Sequence, residues 1–182
     1  MLRTDILLHE EIDSLLQLQK TNLKSNITVE ERASQGFLTF PYTAVEVMEM
    51  MHAMPQPVIK EAGLIQAYAL ACSKEVCSDH HLLKPMVHLS EGLQLRGMPL
   101  SEKRYYIMGQ ICVGVELRGK GAFDALYEKH RSLFAKDYAC VVTEIAESNL
   151  RSMSAHKRVG FQEVHHYFDG ETNWNVVLWD WK

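Results

Sequence analysis

Residues 105–161 read YYIMGQICVGVELRGKGAFDALYEKHRSLFAKDYACVVTEIAESNLRSMSAHKRVGF, and their periodicities decide the fold class. Tyr105–Glu116 reads as a long strand with two internal glycines, which mark a bulge or a close backbone approach. In the segment after it, Ala122, Phe123, Leu126, Leu133 and Phe134 form one helical stripe. Ala139–Ile145 returns to a β-branched strand pattern, and Asn149–Val159 is a short helix that stops at Gly160. Phe161–Phe168 and Trp174–Trp181 make a hairpin around Asp169-Gly170. Strand alternating with helix is the pattern of an α/β layered domain.

Toward the N-terminus the pattern is looser. Residues 9–25 place Ile12, Leu15, Leu16, Leu18 and Leu23 on a broad helical face, with acidic residues in the first turn. Residues 26–42 read as a loop plus a short helix, ending in Gly36-Phe37-Leu38-Thr39-Phe40-Pro41-Tyr42. Thr43 caps a second helix over 44–54, which Pro55 and Pro57 stop. Strands follow at Val58–Glu61 and Leu64–Ser73, hinged at Ala62-Gly63, whereas residues 74–104 mix a short helical pattern with Gly97-Met98-Pro99.

Composition bounds the rest. The chain has 182 residues, 47% apolar and 23% charged, with a formal net charge of -4, which suits one domain over 1–182 and excludes a disordered chain. A mildly acidic chain is a poor non-specific nucleic-acid binder. No apolar run approaches the ~20 residues that span a bilayer, so no membrane partner is expected. The N-terminus turns acidic too early for a secretory signal, which points to a cytoplasmic protein. Cys72, Cys112 and Cys140 lie in apolar runs and Cys77 in a polar stretch, with no Cys-x-x-Cys pair, so no disulfide is expected.

The chemistry points to Arg118-Gly119-Lys120-Gly121, between strand and helix. Two glycines let successive N–H groups point into one concavity at a helix N-terminus, an anion site with Arg118 and Lys120 beside it. A plain strand-to-helix turn is the alternative. The segment is not a Walker A loop, because no Ser or Thr follows a Gly-Lys pair in place. Nor is it a dinucleotide fingerprint, whose third glycine is Asp124 here.

Val113–Phe123 resembles the acetyl-CoA pyrophosphate loop of the GNAT acyl-CoA N-acyltransferase superfamily, (Gln/Arg)-x-x-Gly-x-(Gly/Ala). Asn149–Phe161 resembles the second signature of that family, a helix that begins near an Asn and closes in Gly-Phe. The resemblance covers Tyr105–Phe168 strongly. It implies a three-layer α/β fold whose mixed, twisted sheet splays near residues 111–115, with helices on both faces. It implies acetyl-CoA as cosubstrate, and an acetyl group passed to a primary amine by direct attack in a ternary complex. Under it, the Cys112–Val113 backbone polarises the acetyl carbonyl, and Val113 and Val115 pair with the pantetheine amides. Gly114, Arg118, Gly119, Lys120, Gly121, Ala122 and Phe123 belong to the cofactor loop, with Asn149 and Ser152 on the following helix. Asn149 is equally a helix N-cap, and the two roles can coexist.

Three positions depart from the family pattern. Glu116 stands at the usual Gln/Arg and sets a carboxylate near the pyrophosphate. Val115 stands where Pro is common. His156 stands where a Tyr usually protonates the departing sulfur. A thiol near ~8.5 leaves tolerably as thiolate, whereas an alkyl amine near ~10.4 arrives protonated. His156 therefore protonates sulfur, takes the proton of the amine, or packs against the pantetheine arm. Glu144 is the other candidate base, or a structural or solvated residue.

Phe37, Phe40 and Tyr42, with helix 44–54 and its methionines Met48, Met50, Met51 and Met54, are expected to wall the acceptor side. That composition disfavours a polyanionic acceptor and suits a small-molecule or peptide amine. Asp79-His80-His81 lacks the i, i+4 spacing of a helical ligand pair, and His165-His166 point to opposite faces of a strand, so no metal is expected. A homodimer is compatible with these features. The alternative function is a catalytically lapsed acyl-CoA-binding domain, acting as a sensor or protein-interaction module. Nucleotide binding through the same loop is weaker, because no Mg²⁺-ligating pattern accompanies it.

Overall fold

A computed structural model describes residues 2–182. The chain opens with β1 (Asp5–Ile6), α1 (Ile12–Asn22), α2 (Val29–Gln35) and α3 (Ala44–Ala53). The hairpin β2 (Pro57–Glu61) and β3 (Leu64–Ser73) follows. The stretch that the sequence left open holds α4 (Lys74–Asp79), α5 (Lys84–Glu91) and a two-residue ladder of β4 (Gln94–Leu95) with β5 (Met98–Pro99). Then come β6 (Tyr105–Val113), α6 (Ala122–Phe134), β7 (Cys140–Ala146), α7 (Leu150–Val159), β8 (Gln162–Phe168) and β9 (Asn173–Asp180). Local chemistry starts the helices. Thr28 with Glu31, and Thr43 with Glu46, form capping boxes that satisfy orphan N–H groups of α2 and α3. Among the described residues no helix is long and apolar enough to cross a membrane.

The seven-stranded sheet has the order β1-β2-β3-β6-β7-β9-β8. Neighbours run antiparallel except β6 and β7, which are parallel and pair only over Tyr105–Ile107 with Cys140–Val142. Beyond Ile107 the two strands part, so the sheet opens earlier than the expected 111–115. The hydroxyl of Thr143 donates to the Met108 carbonyl at 2.9 Å, the last stitch before the gap.

A bulge accompanies the opening. Leu70 faces Gln110 and Ala71 faces Met108, which leaves Gly109 as the extra residue. The alternation of β6 records it. Tyr106 and Met108 share one face of the sheet, but after Gly109 that face takes the odd-numbered Ile111 and Val113. Glycine is needed there, because a Cβ at 109 would lie 2.9 Å from the Tyr42 hydroxyl oxygen. The bulge thus sits at Gly109, three residues before the Cys112–Val113 backbone to which the resemblance assigns the acetyl carbonyl.

Helices cover both faces. Tyr68, Leu70 and Cys72 of β3 pack with Leu15, Val47, Met50 and Met86 on one side. Ala67, Ala69 and Ala71 alternate with them and face Leu126, Tyr127 and Phe134 of α6 on the other. That row of small side chains lets α6 lie close to the sheet. Ser73 caps α4 and turns the chain back, so that Cys77 meets Cys72 with their sulfurs in contact and Cα atoms 6.0 Å apart. The expectation that no cysteines pair is corrected here. Cys112 and Cys140 are free and buried.

Candidate active site

The Gly-rich junction opens onto a cleft of about 390 Å³. Gly119 and Gly121 hold left-handed backbone, at φ +72 and +82, and a Cβ added to either would meet nothing within 4 Å. The amide of Ala125 bonds back to Gly121 O at 3.0 Å, so those of Ala122, Phe123 and Asp124 have no acceptor within the helix. Arg118, Arg151 and Arg158 border the same cleft, and Asp124 is paired with Arg158 at 2.9 Å. Unpaired N–H groups, the positive end of the α6 dipole and excess guanidinium charge suit an anion such as a pyrophosphate.

Cys112, Val113, Arg118, Gly119, Gly121, Ala122, Phe123, Asn149 and Ser152 all line this cleft, as the sequence indicated. Gly114, Val115 and Lys120 do not. Gly114 is pressed against β3, where a Cβ would lie 2.8 Å from Gln66 O. Val115 starts a 3₁₀ turn over Val115–Leu117 with its side chain in solvent, so it cannot extend a strand along pantetheine. Lys120 is exposed, and Glu116 is exposed in the turn outside the cleft, so no carboxylate is set there by Glu116. Arg118 donates to Asn22 Oδ1 at 2.6 Å and to the Val113 carbonyl at 3.3 Å, tying the end of α1 to the cleft.

A second pocket lies across the gap between β6 and β7, and Phe37 and Leu38 border both. Asn149 holds this partition. Its Nδ2 donates to the Phe37 carbonyl at 2.9 Å, while its Oδ1 accepts the Ser152 N–H at 3.3 Å and caps α7. Both ends of the side chain are thereby used within the protein. Gly36 adopts φ +78 beneath it, and a Cβ there would fall 2.8 Å from Asn149 Oδ1.

Phe37 and Phe40 wall the second pocket, but Tyr42, expected beside them, does not line it. Gln19 clamps the Tyr42 backbone, accepting from its N–H at 2.8 Å and donating to its carbonyl at 2.9 Å. The Tyr42 hydroxyl donates to Gly109 O at 3.2 Å, so this residue braces the bulge from the core. Helix α3 also stays out of the lining, with Met50 and Met54 fully packed. Leu83 and Met86 supply that wall instead. The signals that could have located them are Pro85 in the first turn of α5 and the amphipathic run behind it.

Glu144 projects from the parted segment of β7 into this pocket and is, among the described residues, the only carboxylate lining it. The Tyr167 hydroxyl donates to its Oε2 at 2.7 Å. Burial holds its pKa above the ordinary carboxylate value, against the lowering by that hydrogen bond. His156 borders the pocket too, but only 2% of it is exposed. Ser152 O, a pure acceptor, lies 2.8 Å from Nδ1, so Nδ1 carries the proton. Nε2 then accepts from the Tyr127 hydroxyl at 2.7 Å. Burial drives its pKa from 6.5 to about 4, so the ring is neutral at pH 7 with neither nitrogen free. Of the three roles open to His156, acid, base or packing, this geometry favours packing, with the ring among Phe123, Tyr127 and Phe161.

Elsewhere, Glu46 meets His80 and His81 with ligand-type atoms within 4.8 Å. His80 Nδ1 accepts the Leu82 N–H at 3.2 Å, and its Nε2 lies 3.1 Å from Glu46 Oε1 without the alignment of a hydrogen bond.

No protein-family model and no curated protein sequence matches this chain. Solved structures do. Protein smu.2055 from Streptococcus mutans is similar over 100% of both chains, at 16% identity and a TM-score of 0.69. An N-acetyltransferase from Staphylococcus aureus matches 99% of this chain and 98% of its own at 18% identity and a TM-score of 0.63. A GNAT superfamily phosphinothricin acetyltransferase from Sinorhizobium meliloti, solved with acetyl-CoA, matches 98% of this chain and 87% of its own, with 14% identity and a TM-score of 0.62. The parted mixed sheet, with helices on both faces, is the GNAT acyl-CoA N-acyltransferase fold.

Proposed function

We propose that this chain is an N-acetyltransferase that moves an acetyl group from acetyl-CoA to a primary amine by direct attack in a ternary complex. The observation that carries the reading is a pair of adjoining cavities, with Ile111, Asn149 and Ser152 in the walls of both. A cradle of unpaired N–H groups at Ala122–Asp124 borders one, and across the β6–β7 gap Glu144 is the half-buried carboxylate of the other. The likeness to an acetyl-CoA complex supports the same assignment of the cleft. Acetyl-CoA supplies the activated thioester.

Arg118, Arg151 and the α6 N-terminus hold the pyrophosphate. The β6 backbone past Ile107, unpaired toward β7, offers hydrogen bonds to an extended pantetheine. Glu144 takes a proton from the arriving ammonium, which frees the nitrogen lone pair. The C–N bond forms as the C–S bond breaks, the sulfur leaves with the bonding electron pair, and it takes up the proton that the new amide nitrogen sheds. His156 keeps α7 packed on α6 and transfers no proton.

A second reading, an acyl-CoA binder without catalysis, is favoured by one observation. A buried neutral histidine stands where the family keeps its acid. Calorimetry and thiol release separate the two. CoA should bind the wild type and lose affinity at least about tenfold in Gly121→Val, whose branched side chain enters the cradle at positive φ. Free thiol above the hydrolysis background, with amines present, identifies the enzyme. Unchanged CoA affinity in a folded Gly121→Val refutes the site.

A further inference from the structure

We propose that the pocket at Glu144 selects an apolar primary amine that bears no carboxylate, with its ammonium paired to Glu144. This names the acceptor class of the transfer proposed above and rests on that reading.

Among the described residues the lining holds one charged side chain. Gln110 donates to the Phe40 carbonyl at 2.8 Å and accepts from the Tyr68 hydroxyl at 2.6 Å. Thr143 is spent on Met108 O, and both ring nitrogens of His156 are used. Glu144 receives Tyr167 on Oε2, while its Oε1 has no hydrogen-bond partner among the described residues. Phe40, Leu83, Met86 and Trp174 supply the apolar walls, and no Lys or Arg lines the pocket. Asp169 accepts from the Trp174 indole N–H at 2.7 Å, which fixes the ring and adds a second negative charge nearby.

A cation beside a buried carboxylate relieves the desolvation that disfavours its charged form. The tail of the amine then covers side chains that already exclude water. A carboxylate on the same ligand meets the reverse situation: it would be desolvated among apolar walls, with Glu144 and Asp169 as its nearest charges and no counter-ion. A second ammonium on a longer chain would be set against Leu83 and Met86. The α-amine of a free amino acid and a polyamine are therefore both excluded.

3-Methylbutylamine and leucine make a matched pair, differing only in the α-carboxylate. Each is titrated by calorimetry into the full-length protein saturated with CoA. The expected result is that the amine binds, that leucine binds at least about tenfold more weakly, and that Glu144→Gln loses at least about tenfold in amine affinity with CoA affinity unchanged. Leu83→Arg should narrow the gap by favouring leucine, which keeps the test informative if Glu144→Gln fails to fold. Leucine binding as well as the amine, no binding of either, or full amine affinity in Glu144→Gln overturns the proposal. If the affinities follow the expected pattern but acetyl-CoA and the amine release no thiol, the transfer reading falls and the amine site stands.

Discussion

Acid should unfold this protein through two buried histidines. His130 is fully buried on α6, where its Nε2–H donates to Ala69 O at 3.1 Å and its Nδ1 accepts from the Tyr106 hydroxyl at 3.1 Å. Like His156, it has a folded pKa lowered from 6.5 to about 4 by burial. Each ring is neutral when folded and protonated at about 6.5 when unfolded, so the unfolded state binds more protons below that pH. The stability is fully present above pH 6.5 and falls as pH drops toward 4. Linkage puts the loss at about 2 kcal/mol per histidine by pH 5, about 4 kcal/mol together. Against a typical total of ~5–15 kcal/mol, that is a large fraction. His80, also lowered by burial, acts in the same direction. Glu144, with its raised pKa, acts in the opposite one. Urea unfolding followed by circular dichroism at pH 7.5, 6.5, 5.5 and 5.0 measures the slope. His130→Gln and His156→Gln should each remove roughly half of it, whatever they cost at pH 7.5. A slope that both variants leave intact, or a wild type as stable at pH 5 as at 7.5, would refute the buried neutral state of these rings.

Other consequences are equally direct. Gly160 has φ +123, and a Cβ there would lie 2.6 Å from Trp179 Nε1, so Gly160→Ala should cost more than about 2 kcal/mol in chemical denaturation. Asn149→Ala removes both the cap of α7 and the tie to Phe37 O, and should cost about 1–2 kcal/mol; a loss near zero would show that the partition is not held there. Phe40 borders only the pocket at Glu144, the proposed acceptor site, and Phe37 borders both cavities. Phe40→Ala should therefore raise the acceptor KM alone, while Phe37→Ala also weakens CoA. In the kcat profile, the limb set by Glu144 should lie above the ordinary carboxylate value and vanish in Glu144→Gln, and no limb near pH 6.5 should trace to His156. Loss of a limb near 6.5 in His156→Phe would restore a proton-transfer role.

The strand–glycine–helix junction at 105–134 and the helix from Asn149 to Gly160 are legible in the sequence alone. Their signals are local: a hydrophobic period, a cap at Thr43 or Asn149, and glycines at 119, 121 and 160 that take positive φ. Dihedral preference and periodicity are properties of neighbouring residues, so a short window carries them. The bulge is different. The two glycines of Tyr105–Glu116 announce it, but its place at Gly109 depends on the register of β3 and on Tyr42, 67 residues away. The wall of the pocket at Glu144 comes from Leu83 and Met86 and not from α3, because the short helix α5 docks beside the gap, and docking is decided by packing. His156 shows the limit most clearly. The sequence set it two turns after Asn149, facing the right side of α7, yet Tyr127, 29 residues upstream, takes its free nitrogen. Position along a helix follows from 3.6 residues per turn. Whether a titratable group is solvated, charged or already bonded depends on distant segments that only the folded chain brings together.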